Sequence, residues 1–485
     1  MNPEKIKHRI KIQLFEKLRE INEIISVTLV GSFINQKDLV GISDIDTIVI
    51  CNSLNKKLFS DCIDKIKSID LKECGLDDYA LKINSTFGPL KFDKPKLAVI
   101  HLMIYDIDLH RQHVIASPFT CFDWERSNIV NGLSLKKIFP TGTLQLRDFL
   151  EVRRSIENYI DDLKNNVISY REYNFDHNNV IQIKKNKSLD QRHRGEYVYH
   201  IIRNLVTNYL KLCNRTNESY TNNKIKDTVI KLLPENSEKH KRFFDIISKI
   251  KHERKQNFPE GTVKWAKLFI QKFQQSIISE WSEAVPIYFI RHYKTKLNDG
   301  TFLGQGRDPG INISDIIKIN KMSATKVYTS PLLRCLETSK IFCKDIDTTI
   351  DERLKEFDYG RAEGLSFEEF IEKYPEIHKS WLNNQDPKFP SGENTSDVYN
   401  RLNSFLIDLK EKINKKTDAI CVITHNGILR CLLGSAFGLD MNEWHKLIIP
   451  HGIPLEFLYW RDNYYPNIPR NSWSKILQNI GYGIS

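Results

Sequence analysis

VPIYFIRHYKTKLN, residues 285–298, opens as an apolar run and ends on an arginine–histidine pair. The run is short, β-branched and aromatic, which reads as a buried strand. Working outward, ATKVYTSPLLRCLETSKIF (324–342) and DAICVITHNGILRCLLG (418–434) each read as strand, turn and helix. SDVYNRLNSFLIDLKEKI (396–413) has helical periodicity, and PLEFLYW (454–460) reads as a last strand. Strands alternating with helices imply a mostly parallel, wrapped sheet. In such sheets the reacting groups lie at the carboxyl ends of the strands. Arg291 and His292 end the first strand, Ser330–Arg334 follow the second, and His425 ends the third.

Two histidines and two arginines at neighbouring strand ends suit the transfer of a phosphoryl group. Guanidiniums neutralise its equatorial oxygens with fixed donors, and a neutral imidazole nitrogen can attack phosphorus to give a covalent intermediate. The protein then supplies the positive charge, and this site calls for no cofactor. FIRHYKTKLN, YTSPLLRCLETSKIF, LKEFDYGRAEG (354–364), PSGENTSDVYNR (390–401) and VITHNGILR, taken in order, resemble the motif blocks of the histidine phosphatase (phosphoglycerate-mutase-like) superfamily. The resemblance implies a three-layer α/β/α fold. It makes His292 the phosphorylated residue, sets Arg291, Arg334 and His425 in the phosphate pocket, and makes Glu356 the proton donor. Thr295, Asn298 and Lys294 are expected to line that pocket. Glu363 and Glu393 are read as structural. The family has glycine and then a short residue after the histidine, whereas Tyr293 and Lys294 stand here. The tyrosine is expected to narrow the entrance and the lysine to touch substrate. The loops look more like the phosphatase than the mutase branch.

At the other end, ISVTLVGS (25–32) and DIDTIVIC (44–51) read as strands, KKLFSDCIDKIKSI (56–69) as an amphipathic helix, and KLAVIHLMIYD (96–106) as a further strand. Residues 1–25 carry Ile6, Ile10, Leu14 and Leu18 on one helical face. Gly31-Ser32 offers N–H groups and a hydroxyl to a triphosphate, and eleven residues later Asp44 and Asp46 share one strand face, where they can hold divalent ions. This resembles the DNA-polymerase-β-like nucleotidyltransferases. It implies a nucleotidyltransferase α/β fold, an NTP as substrate and Mg²⁺ as cofactor. The family's third carboxylate falls where His101 stands. Three alternatives follow: Asp106 or Asp108 serves, His101 replaces the carboxylate as ligand or base, or transfer is weakened or lost.

Between the two lies a stretch with 3.6-residue periodicity and no strand signal, read as a helical bundle over 148–283 that binds acceptor or nucleotide. Residues 172–194 read as a polar connection, and Arg192–Tyr197 as a candidate contact. The chain is thus expected to be an α/β multidomain protein, with a nucleotidyltransferase domain at 1–147, the bundle, and a phosphatase domain at 284–485. Its formal net charge is +11, and residues 151–280 carry about +9 by count. That excess favours an anionic partner. An NTP and a small phosphorylated metabolite fit best. RNA is possible but not favoured, because the bundle lacks an evident stacking surface. Nine scattered cysteines form no disulfide framework. With no signal peptide or membrane-length apolar run, a soluble, cytoplasmic chain is expected. The expected activity is nucleotidyl transfer plus phosphomonoester hydrolysis. The alternative is a phosphatase targeted by a non-catalytic nucleotide- or RNA-binding module. The sequence leaves the oligomeric state open.

Overall fold

The computed structural model describes residues 2–482 apart from 36–43, 89, 91, 93–95, 154, 177–178, 254–260, 316–322, 345 and 415–417. The described chain divides into two compact units. One comprises Met1–Leu144, Asp148–Ile277 and Gly481–Ser485, the other Gln145–Arg147 and Ile278–Ile480.

The first unit begins with the helix Pro3–Arg19, capped by the Asn2 side chain, which accepts from the Glu4 amide. Its buried face is Ile6, Ile10, Leu14 and Leu18. They pack on a five-stranded sheet built from β1 (Ile24–Val30), β2 (Ile45–Cys51), β3 (Ala80–Asn84), β4 (Leu97–Asp106) and β5 (Val130–Gly132), in the order β3-β4-β2-β1-β5. β2 runs parallel to β4 and antiparallel to β1, and register sets Val30 beside Asp46 and Asp46 beside His101.

Residues 172–194 are not a plain connection. β6 (Val167–Asp176) and β7 (Asn179–Ser188) form an antiparallel hairpin with register from Val167↔Ser188 to Asp176↔Asn179. The lysines and asparagines of β7 disfavour a strand locally, but ladder pairing and cross-element packing outweigh that preference. Tyr173 and Phe175 set their rings 4.7 and 5.1 Å from Phe59. The Tyr173 hydroxyl also donates to the Ile104 carbonyl. The helices Ile156–Asn165, Gln191–Asn214, Asn222–Leu232 and Ser237–Glu253 supply the rest of this part, with Thr262–Glu283 up to Ile277.

The second unit holds a six-stranded sheet of β8 (Val285–Arg291), β9 (Lys326–Thr329), β10 (Thr348–Ile350), β11 (Ile420–Thr424), β12 (Pro454–Trp460) and β13 (Asn463–Pro466). The order is β10-β9-β11-β8-β12-β13; the first four are parallel, and β12 and β13 run antiparallel to their neighbours. β11 is buried at every position, as a central parallel strand must be. The helices Leu333–Phe342 and Asn426–Ala436 begin directly after β9 and β11, so the connections leave at the strand ends that carry Arg334 and His425.

No helix among the described residues is long and apolar enough to cross a membrane.

Candidate functional site

The parallel register of β8, β9 and β11 brings His292, Ser330 and His425 to one end of the sheet. His292 is 2% exposed and His425 fully buried, with ring centroids 5.2 Å apart. Nδ1 of His292 donates to the Tyr293 carbonyl at 2.6 Å. A neutral imidazole that donates from Nδ1 keeps its lone pair on Nε2, so the free nitrogen is a nucleophile. Burial, then the charges of Arg334 and Arg291, hold His292 well below the usual histidine range.

His425 takes the other tautomer. Its Nδ1 accepts from Nε of Arg334 at 3.2 Å, and its Nε2 donates to Ser330 Oγ at 2.8 Å. Burial and Arg334 keep it neutral as well. Arg334 is buried and anchored by the carbonyls of Gly304 and Arg307 and by Asp308. Arg291 donates from one terminal nitrogen to the Ile449 carbonyl at 2.8 Å. Its Nε is buried with no hydrogen-bond partner among the described residues. Such a donor is costly unless an incoming acceptor takes it. Glu356 Oε1 accepts from the amides of Phe357 and Gly427, both at 2.9 Å. A Cβ on Gly427 would lie 2.6 Å from that oxygen, so glycine is required there.

Thr295 and Asn298 tie their own loop: Asn298 Oδ1 accepts from the Thr295 amide at 2.7 Å. Lys294 is exposed, and its carbonyl accepts from the Asn312 amide. Tyr293 does not narrow an entrance. It is 2% exposed and stacks on Phe342 at 5.6 Å, because an aromatic ring gains more from burial in this core than from solvent. Gly452 makes the room: a Cβ there would meet the ring at 2.3 Å. Glu363 accepts from the amides of Gln305 and Gly306, and Glu393 pairs with Arg401.

Sequence reasoning missed His451. Its Nδ1 donates to the His292 carbonyl at 2.9 Å, and burial and Arg291 push it down to about 4. The signal was the His-Gly step of IPHGIP before β12.

In the first unit Asp44, Asp46 and His101 bring their ligand atoms within 4.8 Å of one another. Gly31 has φ +78°, and a Cβ there would lie 2.4 Å from Asp46 Oδ2. Ser32 begins a four-residue helix beside them. His101 sets Nδ1 2.8 Å from Asp46 Oδ1 and Nε2 2.7 Å from the Thr86 carbonyl. Both ring nitrogens are thus engaged by oxygen atoms. Burial lowers its pKa, but the Asp46 bond and the charges of Asp46 and Asp44 outweigh it and raise it. The two carboxylates fit a hard divalent ion by donor type, whereas His101 as bonded leaves no ring nitrogen free. Asp106 is not with them. It pairs with Cys51, five residues along the strand from Asp46, roughly 17 Å at 3.3 Å per residue. Its carboxylate caps the helix Ile107–Ala116 through the Leu109 amide. His193 and Glu196, with Asp44, Asp46 and His101, line a cavity of about 840 Å³ in this unit.

The second unit thus gathers two histidines and two arginines at one end of its sheet. Residues 287–463 match the histidine phosphatase superfamily (branch 1), and the chain carries a domain of that superfamily there. It is 25% identical over 172 residues to a 6-phosphofructo-2-kinase/fructose-2,6-bisphosphatase of Caenorhabditis elegans, covering 34% of this chain and 36% of that one. The counterpart from Gallus gallus is 30% identical over 167 residues, covering 32% and 33%. Phosphoserine phosphatase 1 of Hydrogenobacter thermophilus is 29% identical over 123 residues, covering 24% and 56%. The chain thus spans about a third of the length of the fructose-2,6-bisphosphatase relatives. An alpha-ribazole phosphatase structure from Shigella flexneri aligns with 38% of this chain and 95% of its own, at 19% identity and a TM-score of 0.34.

Proposed function

We propose that the second unit hydrolyses small phosphomonoesters through a phosphohistidine. The observation that carries this is the bonding of His292, whose Nδ1 is committed to the Tyr293 carbonyl and whose Nε2 is left to attack. In the first step Nε2 bonds to phosphorus and the ester P–O bond breaks. Glu356 gives its proton to the departing alkoxide. In the second step water attacks phosphorus, Glu356 takes a proton from it, the P–N bond breaks and inorganic phosphate leaves. Arg291 meets an equatorial oxygen with its unpartnered Nε, and Arg334 and His425 reach the others by giving up their bonds to Asp308 and Ser330. The names of the relatives, a sugar bisphosphatase and a phosphoserine phosphatase, support a phosphomonoester as substrate. Rapid quench with a ³²P-labelled substrate should trap an acid-labile, base-stable phosphoenzyme that His292→Ala lacks. Full turnover by that variant would sink the reading.

For the first unit the proposal is nucleotidyl transfer from an NTP to a small acceptor, with Asp44 and Asp46 holding Mg²⁺ and Gly31-Ser32 beside the triphosphate. A bound divalent ion would align the triphosphate and stabilise the departing pyrophosphate. The bonding of His101 favours a second reading, a nucleotide-binding module without transfer, because a doubly bonded imidazole cannot act as ligand or base. Pyrophosphate release with each NTP, Mg²⁺ and a metabolite pool separates the two. Binding without release with any acceptor supports the module.

A further inference from the structure

The cavity of the first unit has a second wall that the Asp44–Asp46 site does not use. The helix Gln191–Asn214 buries an apolar face, with Ile201, Ile202, Leu205, Val206 and Leu212 at 2% exposure or less. One stripe breaks the pattern. Arg203, Thr207, Asn208 and Lys211 recur at helical spacing, and all line the cavity. Thr207 is 7% exposed, Asn208 3% and Lys211 2%.

The polar atoms of this wall are unequally served. Lys211 Nζ donates to Asp123 and Asn217, both at 2.9 Å, and stands near the charge of Arg203. Asn208 spends its amide N–H groups on Asn204. Asn208 Oδ1, Thr207 Oγ1 and the hydroxyl of Tyr105, which also lines the cavity, are buried with no partner among the described residues. Tyr105 itself is fully buried. Orphaned polar atoms are rare in folded proteins because nothing offsets their desolvation. Several of them around one cavity are what a ligand site looks like before the ligand arrives.

We infer that this wall binds a phosphorylated sugar or polyol. The carbonyl oxygen of Asn208 can only accept, so its partner must be a donor such as a ligand hydroxyl. The hydroxyls of Thr207 and Tyr105 complete a hydroxyl-matching set. The Arg203 guanidinium, at the exposed end of the stripe, receives the phosphate. A nucleobase fits less well: the aromatic pair nearby, His113 and Trp124, is stacked on itself with centroids 5.2 Å apart. The inference names the acceptor class for the proposed transfer and rests on that reading only for the fate of the ligand. Binding itself needs neither NTP nor divalent ion.

The test is calorimetric titration of glucose 6-phosphate into the full chain carrying His292→Ala, without NTP or Mg²⁺. Two events are expected, one at the phosphatase pocket and one here. Thr207→Val and Asn208→Leu, both close in volume, should weaken one event at least tenfold and leave the other intact. Thr207→Val should also hold or raise the melting temperature of the ligand-free protein, since it removes an orphaned polar atom and no bonded one. A purely structural role would lower it. The inference is overturned if neither variant alters binding, if inorganic phosphate alone reproduces the affected event, or if AMP binds there more tightly than the hexose phosphate. Loss of pyrophosphate release with this event intact would overturn the transfer proposal and leave the binding site standing.

Discussion

His292 and Tyr293 are joined by a 2.6 Å hydrogen bond from the imidazole Nδ1 of one to the backbone carbonyl of the other. The tyrosine's ring turns the opposite way, into the core against Phe342. Tyr293 thus holds the His292 imidazole through its backbone and anchors the strand end through its side chain.

That anchorage depends on Gly452. Its φ is +64°, and an added Cβ would meet the Tyr293 ring at 2.3 Å. Gly452→Ala should therefore destabilise the second unit by about 2–4 kcal/mol, from overpacking and left-handed backbone strain. Chemical denaturation measures it. Shortening the ring by Tyr293→Leu in the same chain should recover part of the loss.

Glu356→Gln keeps an acceptor for the amides of Phe357 and Gly427 but has no proton to give. Turnover of an alkyl phosphate should fall by about 10²–10⁴-fold. An activated aryl phosphate, whose leaving group needs little protonation, should lose far less in its first step. Burst kinetics with the two substrates check the contrast.

His292, His425 and His451 are all held below the ordinary histidine value by burial and neighbouring arginines. The unfolded chain binds protons at these residues as pH falls below about 6.5, while the folded chain resists. Stability is therefore fully present above that pH and falls as the pH drops towards 4, the region to which His451 is pushed. Denaturation midpoints at pH 7 and pH 4.5 should show the loss. His451→Asn should reduce it.

In the first unit Gly31→Ala would drive a Cβ to 2.4 Å from Asp46 Oδ2 at a φ of +78°. Mg²⁺-dependent NTP binding should weaken at least tenfold, as with Asp46→Asn. Fluorescent-nucleotide titration with and without Mg²⁺ measures both. Unchanged affinity in either variant would count against the two aspartates as the ion's ligands.

Much of this was legible because it is local. The Arg291-His292 step, the turn at Ser330 and the Thr424-His425 step each sit where an apolar run stops, so the strand pattern located them without coordinates. The stripe Ile6, Ile10, Leu14 and Leu18 likewise needed only a period of 3.6 residues. The hairpin of β6 and β7 was hidden because its lysines and asparagines have no strand preference of their own; pairing partners up to about twenty residues away supply it.

The sequence by itself determined which residues could attack, grip and protonate a phosphoryl group, since those are properties of side-chain type and strand-end position. Only the tertiary structure decided their states. It set opposite tautomers on His292 and His425, placed His451 against the His292 carbonyl, turned the Asp106 carboxylate to cap the helix that follows, and bonded both nitrogens of His101. The partners of His425, His451 and His101 come from segments far along the chain, and no local pattern carries those distances.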